Sequence, residues 1–235
     1  MEAVYHAQET RGKADFGWLK SRHSFSFSSY FDPNRMQFGK LRVLNDDIVI
    51  AGKGFPPHSH ENMEIVSIPL FGSLQHEDSE GNHSVIQSGE VQIMSAGTGI
   101  VHSEYNASPS DPVNFLQIWI LPEKLGIQPR YEQKKFNVED RQGKFQTVVS
   151  PEIGNGAVWI NQKVTFSLAQ GKKGFKIDYI PKNKNGGVYF FLVSGSVEID
   201  GKKLSARDGL GLPISEKLKI TCLEESEILA IDTPL

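Results

Sequence analysis

The sequence predicts an all-β protein, a pair of β-barrel or jelly-roll domains with few and short helices. Three observations carry this. Apolar residues alternate in short runs of about four to eight, and no stretch shows convincing helical periodicity. Clusters of Gly, Pro, Asn and Asp punctuate the runs as in sandwiches and barrels, and 22 Gly with 14 Phe in 235 residues suit a turn-rich β core. Finally, a weak internal repeat accounts for the length. Gly72-Ser73-Leu74 returns as Gly195-Ser196-Val197, and Gly89-Glu90-Val91-Gln92-Ile93 returns as Gly209-Leu210-Gly211-Leu212.

Taken in order, Ala3-Val4-Tyr5-His6 reads as a short strand, and His6 and His23 as exposed or hydrogen-bonded histidines. Ser24-Phe25-Ser26-Phe27-Ser28 alternates, which places Phe25 and Phe27 on one buried face. Residues 30–37 are loop. Leu41-Arg42-Val43-Leu44 and Ile48-Val49-Ile50-Ala51 read as two strands split by Asn45-Asp46-Asp47. Gly54-Phe55-Pro56-Pro57 makes a stiff entry to His58. Strands then run from Met63 to Ile68, from Phe71 to Leu74, from Ser84 to Ile86 and from Gly89 to Met94, with a turn at residues 78–82. Residues 106–112 form a loop, and Asn114-Phe115-Leu116-Gln117-Ile118-Trp119-Ile120 is apolar enough for a central strand that Pro122 ends. Residues 123–142 turn polar, with one strand at Arg130-Tyr131-Glu132-Gln133-Lys134-Lys135-Phe136 whose charges suit a solvated face. Short strands are expected again at 146–149, 158–160, 165–168, 175–180, 188–193, 197–199, 218–221 and 228–231. The expected division is a metal-binding domain at 1–125, a crossing segment at 126–142, and a second domain without ligands at 143–235.

Two motifs carry chemistry: His58-Ser59-His60 and His102-Ser103-Glu104. Residues i and i+2 of a strand project to one face, so each pair aims together. An up-and-down run of strands between them can return His102 beside His58. Three imidazoles and a carboxylate then form an N/O donor set suited to Fe, Mn, Ni, Cu or Zn. On an octahedral ion two positions stay free for substrate and a small molecule such as O2. A single histidine is more often a core or surface residue, but two such pairs flank one meander here, and all 7 His lie at or before His102. In the second copy the corresponding positions fall on Pro181 and Cys222, so two barrels share one site.

Composition removes several alternatives. A net charge of −3 and a pI near 6.2 give no electrostatic footprint for nucleic acid. The single Cys222, expected as a partly buried thiol, excludes an intrachain disulfide and a cysteine metal cluster. Residues 1–15 are polar without an apolar core, and no apolar run reaches a membrane-spanning length of about 18 residues. A cytoplasmic protein without membrane attachment is the expectation.

The motif Gly52-x5-His58-x-His60-x3-Glu64, followed by Gly72, resembles the first motif of the cupin superfamily with a final spacer one residue long. Gly89, Gly97, His102 and Asn106 resemble the second motif, with Ser95 where a proline often stands and a longer gap before the histidine. Arg22-His23-Ser24-Phe25-Ser26-Phe27, Met63-Glu64-Ile65, the run from Ile93 to Asn106 and Pro129-Arg130-Tyr131-Glu132-Gln133 narrow the resemblance to pirins, nearest to bacterial pirin-like quercetin 2,3-dioxygenases. The likeness is dense over residues 17–136 and thin beyond.

This resemblance implies two cupin barrels with one divalent metal in the first, iron foremost and Mn, Ni, Cu, Zn or Co as alternatives. It takes the acidic ligand from Glu104 rather than Glu64, giving His58, His60, His102 and Glu104. Glu64 is then either a group supporting the ligands or pocket, or a solvated carboxylate at a strand end. The implied activity is O2-dependent opening of a flavonol heterocycle with release of carbon monoxide, Glu104 accepting the proton of the bound hydroxyl. Phe55 and Gln117 are candidates for the substrate pocket, against a core plug and a structural hydrogen bond respectively. Competing expectations are an iron-dependent redox sensor that contacts a partner protein, a dioxygenase of another phenolic metabolite, and a metal-free sugar isomerase or binding module.

Overall fold

The computed structural model describes residues 2–213 and 216–235. The strands of the first half are β1 (Val4–His6), β2 (Gly12–Asp15), β3 (Leu19–His23), β4 (Leu41–Val49), β5 (Gly54–His60) and β6 (Glu64–Phe71). They continue with β7 (Ser73–Asp78), β8 (His83–Gln87), β9 (Glu90–Ser95), β10 (Ile100–Asn106), β11 (Val113–Ile120) and β12 (Arg130–Lys135). The second half adds β13 (Gln146–Ser150), β14 (Val158–Trp159), β15 (Thr165–Gly171), β16 (Lys176–Tyr179) and β17 (Gly186–Ser194). It closes with β18 (Ser196–Ile199), β19 (Lys202–Ser205), β20 (Gly209–Leu212), β21 (Leu218–Cys222) and β22 (Ser226–Pro234). Among the described residues the helical content is two short 3-10 turns, Gln8–Thr10 and Val138–Arg141, and no helix is long and apolar enough to cross a membrane.

Four sheets result. Each half pairs a seven-stranded sheet, ordered β12-β9-β6-β11-β4-β3-β2 or β1-β20-β17-β22-β15-β13-β14, with a four-stranded one, β5-β10-β7-β8 or β16-β21-β18-β19. The large sheets face each other across one shared core, in which Leu44, Val66, Leu116 and Ile118 meet Phe166, Phe191, Leu229 and Ile231. Along β11 the even-numbered Leu116, Ile118 and Ile120 enter this shared core, while Phe115 packs into the first barrel with Leu74 and Ile86. Both faces of β11 are covered, which is why its sequence is almost continuously apolar. The second barrel closes over Val188, Phe190, Ile220 and Cys222, with the thiol buried and free. Two cupin barrels therefore stand back to back.

Gly72 and Gly195 mark the repeat in three dimensions. Each occupies the single residue between a long inner strand and the outer strand that follows, at φ 75° and 83°. An added Cβ would lie 2.9 Å from the Pro112 carbonyl oxygen at the first and 2.1 Å from that of Glu225 at the second, so glycine is required twice.

Strand pairing also crosses the expected division of the chain. β1 adds to the sheet of the second half beside β20, tied by Tyr5 Oη donating to Asp208 Oδ2 at 2.7 Å. β12 adds to the first-half sheet beside β9. Two local expectations are corrected. Asn45-Asp46-Asp47 does not split two strands but lies inside the continuous β4. Asp46 finds partners on one face in Arg207 and Asn114, so a run that looks like a turn is held extended. Phe25 and Phe27 do not share a face. The chain at residues 24–28 is a loop with Ser28 at φ 52°, Phe25 enters the shared core, and Phe27 stacks edge-on against Trp119 at 5.3 Å.

Candidate metal centre

β5 and β10 are antiparallel neighbours, and their register places His58 directly across from His102 and His60 across from Ile100. Past His102 the pairing slips: Glu104 faces Phe55, so between these two pairs β5 has one residue more than β10. The extra residue falls at Pro56-Pro57, which have no N–H to offer a ladder and therefore favour a bulge. The bulge frees the Pro56 carbonyl, which accepts a hydrogen bond from His58 Nδ1 at 2.8 Å. That contact fixes the tautomer and leaves the Nε2 lone pair of His58 available.

The three rings converge, with centroids 4.4 Å apart for His58 and His102, 4.9 Å for His58 and His60, and 5.0 Å for His60 and His102. One nitrogen of each lies within 4.8 Å of the others. Burial pushes the pKa of His60 down to about 4 and that of His102 down to about 2, so both rings are neutral, the form that ligates. Neither ring nitrogen of buried His102 has a partner within the protein. Unpaired buried polar atoms are costly, and a cation would account for the one that carries the ring's lone pair. The residues present fit a divalent transition metal ion.

Glu104 enters from the same strand, fully buried, and its carboxylate is held from the sheet behind. Ser67 Oγ donates to Oε1 at 3.0 Å and Gln117 Nε2 donates to Oε2 at 2.5 Å. Ser67 and Gln117 are cross-strand partners on β6 and β11, so one register sets both donors. Burial raises the pKa of Glu104, against the pull of His76, Ser67, His58 and Gln117. Glu104 also forms an overlapping group with His102 and His76, whose donor atoms again lie within 4.8 Å of one another.

His76 is a neighbour that the sequence reading left out. Its Nε2 lies 2.9 Å from Asp78 Oδ2, both side chains are buried, and its ring packs against His102 and Tyr131. The signal was present in Leu74-Gln75-His76-Glu77-Asp78, where alternation puts His76 on the inward face with Leu74. Groups able to hold a metal occur in the first barrel only, among the described residues.

The other expected residues divide. Phe55 and Gln117 both line a cavity of about 350 Å³ that opens onto His58 and His60, and Phe55 stacks edge-on with Trp18 at 5.3 Å. Gln117 meets both descriptions, at the cavity wall and in a hydrogen bond. Glu64 is 1% exposed and is not solvated at a strand end; it accepts hydrogen bonds from Ser95 Oγ at 2.8 Å and from the Asn161 N–H at 3.2 Å, at the seam between the halves.

Two barrels back to back, with one histidine-rich candidate metal centre among the described residues, define a bicupin. The chain belongs to the pirin family. Residues 4–120 match the family described as Pirin, and residues 147–233 match the one described as the quercetinase C-terminal cupin domain. Quercetin 2,3-dioxygenase of Escherichia coli is 44% identical over 225 residues, covering 95% of each chain. A pirin-like protein of Caulobacter vibrioides is 42% identical, covering 94% of this chain and 95% of its own. The structure of the bacterial pirin YhhW of Escherichia coli in complex with nickel(II) superposes with a TM-score of 0.93 at 41% identity, over 99% of both chains.

Proposed function

We propose that this protein is a pirin-type dioxygenase that opens the heterocycle of flavonols such as quercetin with O2 and releases carbon monoxide. In this reading His58, His60, His102 and Glu104 hold one divalent metal, iron foremost, with nickel, manganese, cobalt, copper and zinc as alternatives. The observation that carries it is the aromatic-walled cavity opening onto His58 and His60, with the side chain that holds Glu104 in its wall. The relatives called quercetin 2,3-dioxygenase supply the substrate class.

A bound divalent ion supplies Lewis acidity, which lowers the pKa of a coordinated hydroxyl. Glu104 receives the proton. Ser67 and Gln117 hold the carboxylate in one orientation while it does so. Phe27, Phe55, Trp18 and Trp119 give the flat ring system apolar surface and keep water from it.

The test is aerobic incubation of the metal-loaded protein with quercetin, following loss of flavonol absorbance and trapping carbon monoxide on deoxyhaemoglobin. The reading expects both signals, and expects Glu104→Gln to lower turnover by about 100-fold or more while keeping most of its metal. Unchanged quercetin, or equal turnover in the two proteins, contradicts it.

A further inference from the structure

The cavity that opens onto His58 and His60 presents mostly apolar surface, and its aromatic lining continues outward beyond those two rings. Phe55 lies 6.5 Å from His58, ring to ring, and Trp18 lies 5.3 Å from Phe55. Trp18 belongs to the turn that joins β2 to β3, and Phe16 stands two residues before it in the same turn. Both line the cavity, as does Ala14 on β2. In the sheet β2 is the edge strand, separated from β11 by β3 and β4. At about 4.8 Å per strand, the backbone at Phe16 is at least about 14 Å from that of Gln117, whose side chain holds Glu104.

Phe16 is 61% exposed. A single exposed apolar side chain is ordinary on a protein surface and by itself points to nothing. Two features set this one apart. Residues 14 and 16 follow the period of a strand, and both face the cavity. The backbone of the turn is also held. The Phe16 N–H donates to the Leu19 carbonyl at 2.9 Å, the Gly17 N–H to Asp15 Oδ1 at 2.9 Å, and the Ile50 N–H to the Trp18 carbonyl at 3.0 Å. Gly17 supplies the φ of 79° at which the chain reverses. A fixed turn thus presents an aromatic ring, most of its surface free, to a cavity continuous with the candidate metal centre. Pro56 and Pro57 on β5 are exposed apolar residues of the same lining. A ligand that reaches this far covers all three and removes apolar surface from water.

We infer that Phe16, with Pro56 and Pro57, forms an outer subsite for the part of the substrate remote from the metal, so that the protein selects extended, multi-ring aromatics over single-ring compounds with the same chelating group. This rests on the flavonol reading above and extends it to the size of the substrate. A one-ring ligand anchored beside His58 and His60 ends short of the turn and gains nothing from Phe16. A ligand that carries further rings along the cavity packs one of them against it.

The experiment is an anaerobic absorbance titration of the nickel-loaded protein, wild type and Phe16→Ala, with 3-hydroxyflavone and with maltol. The two ligands share the 3-hydroxy-4-pyranone that chelates a metal, and maltol lacks the remaining rings. Without O2 the readout is binding, not turnover. Hydrophobicity favours 3-hydroxyflavone in both proteins, so the test is what the substitution does to each ligand. Because the Phe16 ring is mostly exposed, its truncation leaves the core intact. The expected result is binding weaker by about tenfold for 3-hydroxyflavone and by less than about twofold for maltol. An unchanged affinity for 3-hydroxyflavone, or equal weakening of both ligands, overturns the inference and leaves the flavonol reading standing. No binding of 3-hydroxyflavone by the wild-type protein overturns both.

Discussion

Glu64 belongs to the seam between the barrels, and its protonation couples that seam to pH. Burial lifts its pKa from 4.5 to about 7. A carboxyl whose folded pKa exceeds its unfolded value binds more protons when folded. Its favourable contribution is complete below about 4.5 and is lost as pH rises through about 7. Glu64→Gln keeps an oxygen that can accept from Ser95 and Asn161 but cannot ionise. The variant should match wild type at pH 5 and exceed it by about 2 kcal/mol at pH 8 in denaturant titrations. Equal stability at both values would show that Glu64 does not ionise at the seam. At this scale the sequence made His58, His60, His102 and Glu104 legible as candidates because they sit at period-two spacing in two compact motifs. His76 stayed hidden because its partners arrive from other strands: Asp78 is near in sequence, but His102 and Tyr131 meet it only through β10 and β12.

At the scale of the element, β4 is the informative strand. Asn45-Asp46-Asp47 has the composition of a turn, and intrinsic propensity favours one. Tertiary pairing overrides it, since Asp46 meets Arg207 on one face while Asn45 and Asp47 line the cavity on the other. Propensity failed at the place where the strand carries polar groups for the cavity, where local preference is expected to yield. The crossovers from inner to outer sheet behave oppositely and were readable, because only glycine fits. Gly195→Ala should cost about 1–3 kcal/mol, given φ 83° and a Cβ 2.1 Å from the Glu225 carbonyl oxygen. Thermal melts check this; a melting temperature equal to wild type would mean that the crossover relaxes freely.

For the whole molecule, the all-β class and the doubled barrel were legible from alternation and from the Gly-Ser repeat. The recruitment of β1 into the second-half sheet, and of β12 from the crossing segment into the first, was not, because short edge strands are recruited by distant registers that leave no local pattern. We propose 1–125 and 143–235 as the two units of the chain, the second without a metal, but expect the first not to stand alone. It lacks β12 beside β9, and Leu44, Val66, Ile68, Leu116 and Ile118 lose the sheet that covers them. At about 1.5–3 kcal/mol each, that exposure rivals the roughly 5–15 kcal/mol that holds a domain folded. A fragment of residues 1–125 should show no cooperative melt by near-ultraviolet circular dichroism, and a sharp transition would contradict a shared core. The central claim, one metal held in the first barrel by His58, His60, His102 and Glu104, is tested most directly by anomalous diffraction at the nickel edge from crystals of nickel-loaded protein. The account expects one strong peak within bonding distance of all four side chains. A peak elsewhere, or none under full loading, would contradict it.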